Sequence, residues 1–334
     1  VAAGGVVSGR LGVTVSALDE PMASRICVGY LLCRVADTVE DGGAIPLEDR
    51  AALLRTYADA LDTETGTDID AFADAVSPWI SDDRTDDWQV VANADRIVRA
   101  FEAFPAGDRE AIRPPVRELV TGMAAFVERY ADTGGLRVES VDELEEYCWY
   151  AAGTVGDLVT NLLTPHVDDG SERVLRANAE DFALLLQLVN VAKDVRSDHR
   201  EEDNVYLPAT WLREAGVPQD DVTAPENHEA VAGVIRGYRL TALALLDYAD
   251  GAQTYLEHLP RAHGNTLAAW AIPFLLAIGT MRELRHRPVD VLETGDAKVD
   301  REEVYALIRR FEDGVETGEI ADLRRAIAAD SFGY

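Results

Sequence analysis

An all-α fold in a single large domain is what this sequence predicts, on three observations. Apolar residues recur with the 3.6-residue helical period in segments at about 20–40, 47–62, 90–103, 109–131, 141–164, 178–198, 228–257, 266–286 and 301–313. No stretch alternates apolar and polar residues in the two-residue rhythm of a strand. Two of the segments carry polar and acidic side chains in phase along one face of an otherwise apolar helix, which is costly to bury unless that face binds something.

In chain order, the segment at 20–40 holds the first such face, with Tyr30, Arg34, Asp37 and Asp41 at i, i+4, i+7 and i+11. Gly42-Gly43 ends it and the apolar period resumes over 47–62. The stretch from Thr63 to Asp87 is acidic and poor in large apolar residues, and is expected to be a surface excursion. Segments 90–103 and 109–131 follow, closed by Gly134-Gly135. Within 141–164, Tyr147 is followed by Ala151, Ala152, Gly153 and Gly156, small residues that either leave room for a channel or let helices pack closely. After Asp168-Asp-Gly170 comes 178–198 with the second face, Gln187, Asn190, Asp194 and Asp198 at i, i+3, i+7 and i+11. Pro218-Gln-Asp-Asp221 separates it from 228–257. The longest apolar run, Leu267 to Met281, is interrupted by Pro273 and is shorter than the roughly 20 residues that cross a bilayer, so 266–286 is expected to be a buried core helix and no transmembrane segment is expected. Segment 301–313 closes the series. No linker or repeat divides the chain, which reads as one domain over 1–334 with a disordered or truncated start at 1–15.

Acid is abundant, so the spacing of the two faces has to be weighed against chance. With 61 Asp and Glu among 334 residues, Asp-x-x-x-Asp also occurs at Asp70/Asp74, Asp82/Asp86, Asp83/Asp87 and Asp296/Asp300, in polar, turn-rich surroundings that read as solvated surface. The two favoured pairs differ in their apolar lead-in and phased polar neighbours. Carboxylates presented in this way suit hard cations held against a phosphorylated ligand.

Composition bounds the setting. The formal net charge is −30, yet 47% of residues are hydrophobic, enough for a substantial core. Such a surface suits the salt-rich cytoplasm of a halophile and excludes non-specific nucleic-acid binding, which needs the opposite sign. Of 31 basic residues only Lys193 and Lys298 are lysines. Cys27, Cys33 and Cys148 have no metal-ligand spacing and read as buried small hydrophobes.

Three blocks together carry a family resemblance. Tyr30-Leu-Leu-Cys-Arg-Val-Ala-Asp-Thr-Val-Glu-Asp41, Tyr147-Cys-Trp-Tyr-Ala-Ala-Gly-Thr-Val-Gly156, and Gln187-Leu-Val-Asn-Val-Ala-Lys-Asp-Val-Arg-Ser-Asp198 followed by Val205-Tyr-Leu-Pro208 resemble the squalene/phytoene synthase family in order and spacing, from about residue 16 to 310. Ala17-Leu-Asp19, the Asp-Thr-Val-Glu-Asp form and the segment around Lys298 are closer to its squalene-forming members, while Gly153-Thr-Val-Gly156 is equally at home in its phytoene-forming ones.

The resemblance implies an isoprenoid-synthase bundle whose cavity is lined by the two Asp-rich helices. It implies head-to-head condensation of two farnesyl diphosphates to presqualene diphosphate with Mg²⁺, then reduction to squalene by NADPH; the alternative is condensation of two geranylgeranyl diphosphates to phytoene without NADPH. Asp37, Asp41, Asp194 and Asp198 are then the metal ligands, with Glu40 outside or behind them. Arg34 and Lys193 are phosphate contacts; Arg34 could also pair with Asp37 on the same helix, which need not exclude phosphate contact. Gln187, Asn190, Ala151 and Gly153 belong to the substrate site, and Tyr147 and Tyr30 stand beside the reacting carbons, or else are core tyrosines. Lys298 is a candidate for a nicotinamide-cofactor phosphate and reads equally as an ordinary solvated lysine. A monomer or dimer touching the membrane peripherally for product release completes the expectation. The chain departs from the family pattern at Ser8-Gly-Arg-Leu11, where Ser-Arg-x-Phe is usual, at Asn204, where a basic residue is often seen, and at Ala269-Trp270, where squalene synthases often carry Phe, leaving Trp270 a weak candidate for cation stabilisation. A non-catalytic binding subunit is the reading from another class; intact Asp37, Asp41, Asp194, Asp198 and Tyr147 argue against it.

Overall fold

The computed structural model describes residues 15–81, 84–236, 248–261, 264–295 and 297–333. Ser8-Gly-Arg-Leu11, nearly all of 1–15, part of the 228–257 segment and the acids Asp82, Asp83 and Asp296 lie outside them. Helices make up the described architecture, with two isolated β-bridges, Leu18 to Gly264 and Arg137 to Val205, and no longer strand among the described residues.

Helix α1 (Met22–Glu40) buries Ile26, Leu32, Val35, Ala36 and Val39 on one side and leaves its acidic face to the cavity. It is followed by α2 (Leu47–Leu61) and then by α3 (Ile69–Val76), which corrects the surface excursion expected at Thr63 to Asp87. Ile69, Phe72 and Val76 recur once per turn and are all buried, Phe72 with its ring 4.8 Å from that of Tyr57, and Asp68 caps the first turn. Three apolar residues suffice to seat a short helix whose other positions stay in water. The Asp70/Asp74 pair does lie on the solvated side.

Segment 90–103 divides into α4 (Asp86–Val91) and α5 (Ala94–Glu102). Asn93 makes the break: its side chain donates to the Gln89 carbonyl while its own carbonyl accepts from the Arg96 and Ile97 amides, a local alternative to the helical ladder. Helix α6 (Ala106–Arg129) runs through Pro114 and Pro115. Proline at 115 removes the donor for the Ala111 carbonyl, and the Asn161 side chain supplies one at 3.3 Å.

Helix α7 (Val141–Cys148), a π-turn (Trp149–Gly153) and α8 (Thr154–Leu163) make one continuous rod, as do α9 (Asp169–Ser197) and a second π-turn (Asp198–Glu202). Helix α9 begins well before the expected residue 178 because the Asp168 side chain accepts the Gly170 and Ser171 amides, so a polar first stretch is capped rather than loose. It lies at the centre, against α8, α12 (Ala249–Glu257) and α13 (Thr266–His286). Helix α13 is long and apolar enough to cross a membrane by length and composition, yet 83% of that apolar window is buried in the bundle, in line with a core helix. Short helices α10 (Ala209–Glu214) and α11 (His228–Arg236) precede α12, and α14 (Asp290–Glu293), α15 (Arg301–Glu312) and α16 (Ile320–Ala329) follow α13. Buried Arg282 ties this last layer down through Glu303 on α15 and the Ile327 and Asp330 carbonyls at the end of α16. Cys33 and Cys148 are buried as expected, while Cys27 is only half-buried.

Candidate active site

Helices α1, α6 to α9, α12 and α13 line a cavity of about 670 Å³. Tyr30, Arg34, Asp37 and Asp41 reach it from α1 and its C-cap, and Tyr147 and Ala151 from α7 and its π-turn. Gln187, Asn190, Lys193, Asp194 and Asp198 reach it from α9. Lys298 is exposed, ahead of α15, and is not on the cavity wall. Nor is Gly153: a Cβ there would meet the Trp149 ring at 2.4 Å, so this glycine serves close packing, whereas Ala151, Ala152 and Gly156 border the cavity.

Both π-turns sit where the site is built. The second extends the acidic face of α9 to Glu202, also on the wall, before Asp203 in left-handed backbone (φ 59°) ends it. Such wide turns occur frequently at functional sites. Glu40, expected to stand outside or behind the metal ligands, is itself on the cavity wall and 1% exposed, with Oε1 unpartnered.

The carboxylates face one another with too little positive charge among them. Burial, reinforced by Asp41 and Asp87 and opposed by Arg34, pushes Asp37 up to about 7. Burial likewise raises Asp41 to about 6, Asp198 to about 9 and Glu202 to about 8; Asp41 on α1's C-cap acts on both of the others across the cavity. Glu40 is raised well above the usual range by burial and by the charges of Asp41 and Asp37. Lys193 pairs with Asp194. Arg34 lies 3.7 Å from Asp37 and is bound from its other edge by Asp87, an acid that stays partly solvated as its surroundings predict but is engaged in an ion pair. Beneath α1, buried Arg50 donates to the Glu40 and Ile45 carbonyls and fixes the turn after Asp41.

Tyr147 is buried at 4% exposure, with Phe126 edge-on at 5.4 Å and the Tyr206 ring at 4.7 Å. Its hydroxyl donates to Tyr206 at 3.0 Å and stands 3.4 Å from Glu40 Oε2, and Asn204 donates to the Tyr206 oxygen at 3.1 Å. Burial, then the nearby acids Glu40 and Asp41, holds the Tyr147 phenol well above its usual range. Sequence reasoning quoted Tyr206 within the Tyr-Leu-Pro block but gave it no role, and passed over Glu202.

Away from the acids the wall is apolar. Phe182 stacks on Tyr255 at 5.2 Å and meets Trp270 edge-on at 6.5 Å, and all three line the cavity. Down α9 the lining changes from Phe182, Ala183 and Leu186, through Gln187 and Asn190, to Asp194 and Asp198. At 1.5 Å per residue that gradient is roughly 24 Å long. An elongated ligand with an apolar tail and an anionic head matches it.

Comparison with known proteins gives the same direction. The family model described as squalene/phytoene synthase matches residues 10–303. A squalene synthase of Schizosaccharomyces pombe is 24% identical over 290 residues, 86% of this chain and 59% of that one. Botryococcus squalene synthase of Botryococcus braunii is 30% identical over 212 residues, 62% of this chain and 41% of that one. The chain thus spans about three fifths or less of the length of these relatives. Among solved structures, a complex of TcSQS with the ligand E5700 superposes with a TM-score of 0.75 at 21% identity, covering 97% of this chain and 94% of that one. A dehydrosqualene synthase with bound ligand gives 0.59 at 19% identity, covering 91% and 90%. At these identities the structures show a common fold.

Proposed function

The chain belongs to the squalene/phytoene synthase family, and from that premise we propose that it condenses two farnesyl diphosphates head to head into presqualene diphosphate and reduces that product to squalene with NADPH. The observation that carries the reading is the gradient along α9, which offers an apolar bed for a polyprenyl tail and ends at facing carboxylates.

Hard oxygen donors raised by burial and then by one another's charge, with an unpartnered Glu40 Oε1 among them, suit Mg²⁺. Among the described residues no three Asp, Glu, His or Cys side chains converge enough to hold an ion by themselves, so part of its coordination would come from water and diphosphate, as this ion prefers. Asp37, Asp41, Asp194 and Asp198 would hold it, and it would supply the charge neutralisation that lets diphosphate leave. Arg34 and Lys193 add cationic contacts to phosphate oxygens. Tyr147 and Tyr30 present aromatic rings to the positive carbon that ionisation leaves, each contributing about 2 kcal/mol when water is excluded. Gln187 and Asn190 bind at the junction of head and tail, and the wall of Phe182, Tyr255 and Trp270 keeps water from quenching the cation. Lys298 lies off the wall and takes no part in ionisation.

Product analysis with farnesyl and geranylgeranyl diphosphate, each with and without NADPH and Mg²⁺, tests the reading. Squalene from farnesyl diphosphate with NADPH, and presqualene diphosphate without it, are expected. Phytoene from the C20 substrate with no nicotinamide requirement would move the chain to the other branch of the family. Asp37→Asn and Asp194→Asn should each abolish turnover with the helical circular-dichroism signal intact, while Asp70→Asn, in a surface pair with Arg99 of which both side chains are mostly exposed, stays near wild type. Equal loss in all three would overturn the site.

A further inference from the structure

Asp87 lies outside the cavity lining, on the six-residue helix α4, yet it makes the closest contacts to the cavity's arginine. Its Oδ1 accepts from Arg34 Nε at 2.9 Å and its Oδ2 lies 2.8 Å from Nη2, a two-pronged pair along one edge of the guanidinium. The remaining nitrogen, Nη1, stands 3.7 Å from Asp37 Oδ2. A fork held at two points has its plane and rotation fixed, which a single contact does not achieve.

We propose that Asp87 is a positioning residue for diphosphate binding: it holds Arg34 off the carboxylates of α1 and keeps one edge of the guanidinium facing the cavity. The inference rests on the diphosphate site proposed above. Arg34 shares a face with Asp37 and the C-cap Asp41, and its charge acts on both. Without a competing partner the guanidinium would settle on those carboxylates, and the oxygens meant for a divalent cation would be spent on an internal ion pair. Asp87 offers two oxygens on the opposite side. The hydrogen bond from Arg34 is the leading reason its carboxyl lies below the usual range, so it stays charged wherever the enzyme would operate.

The local fold sets this geometry. Thr85 Oγ1 accepts the Trp88 amide and starts α4 just before Asp87, while buried Val90 and Val91 seat the helix alongside α1. Asp87 thus reaches Arg34 from a neighbouring helix packed on α1 rather than from α1 itself. Its side chain is 46% exposed, so a lone ion pair there would be weak, and it is the two-pronged geometry that gives the pair its hold.

Calorimetric binding of inorganic pyrophosphate in the presence of Mg²⁺ tests this without turnover. Wild type should bind, Asp87→Asn should bind about tenfold more weakly, and Asp87→Glu should recover part of the loss, with melting temperatures unchanged. Arg34→Ala should weaken binding by itself, and Asp87→Asn added to Arg34→Ala should cost nothing more, because Asp87 acts only through that arginine. Wild-type binding by Asp87→Asn, or an equal loss in both backgrounds, would overturn the positioning role alone. Absence of pyrophosphate binding by the wild-type protein would overturn the diphosphate site and this role with it.

Discussion

The Tyr147 ring is wedged between Phe126 and Tyr206, but its hydroxyl depends on the single short bond to Tyr206. Tyr206→Phe keeps the ring contact and deletes that bond, leaving Glu40 at 3.4 Å as the remaining partner. The loss is worth about 1 kcal/mol, so the rate of the proposed condensation should fall about fivefold with KM little changed; a change in KM alone would show that the pair shapes binding instead. A second residue-scale expectation concerns Glu283. Burial alone would raise its carboxyl, but the bonds from Arg282 and Arg287 outweigh burial and hold it below the ordinary value of 4.5. A depressed folded-state value stabilises the protein above the unfolded value and is lost as pH falls through the folded one. Glu283→Gln should therefore lower stability by about 1 kcal/mol at pH 7, measured by denaturant unfolding, and the difference should shrink steadily below pH 4.5. The acidic faces were legible because a periodic stripe is visible in one dimension. Asp87 and Tyr206 were not, because each meets its partner from another element, and the polar, turn-rich surroundings of Asp83 and Asp87 had given reason to discount that pair; Glu202, one turn beyond Asp198, continues the stripe and was passed over.

Elements were legible where they are long and buried along one side. Segments 20–40, 47–62 and 266–286 lie within a residue or two of α1, α2 and α13, whereas α3 and α16 were missed because three apolar residues each, Ile69, Phe72 and Val76 or Ile320, Leu323 and Ile327, leave little periodic signal. The π-turn after α7 left no sequence signal either; within it Tyr150 packs onto Gly122 of α6, where a Cβ would fall 2.2 Å from the ring. Gly122→Ala should displace that ring and cost about 1–3 kcal/mol as an overpacked core contact. Gly233 is the internal comparison, an exposed helical glycine of α11 with nothing within 4 Å of an added Cβ. Gly233→Ala should raise stability by about 0.5–1 kcal/mol through helix propensity. Thermal melts of the two variants should move in opposite directions, and a shared direction would mean that propensity, not the Tyr150 contact, governs position 122.

For the molecule as a whole, charge is the feature expected to bear on the working conditions. Every Arg and Lys could find an acid and about half of the 61 acids would still lack a partner, for there are only 31 bases. Among the described residues two arginines are buried, Arg50 behind the acidic turn and Arg282 under the last helices, so that neither remains to offset surface charge. The surplus acid repels itself across the surface at a range set by ionic strength, about 10 Å at 0.1 M and about 3 Å at 1 M. The melting temperature should therefore climb with KCl, most steeply over the first few tenths molar, where the Debye length contracts fastest. Salts that act by exclusion from the protein surface would instead give a rise that continues evenly to molar concentration. Calorimetric melts in KCl, set beside melts in sucrose, which is excluded but does not screen, separate the two. A steep early rise in KCl with only a shallow response to sucrose assigns the dependence to screening. A melting temperature indifferent to KCl would mean that the ion pairs threaded between helices already balance the fold, and that the acidic surface serves solubility rather than stability.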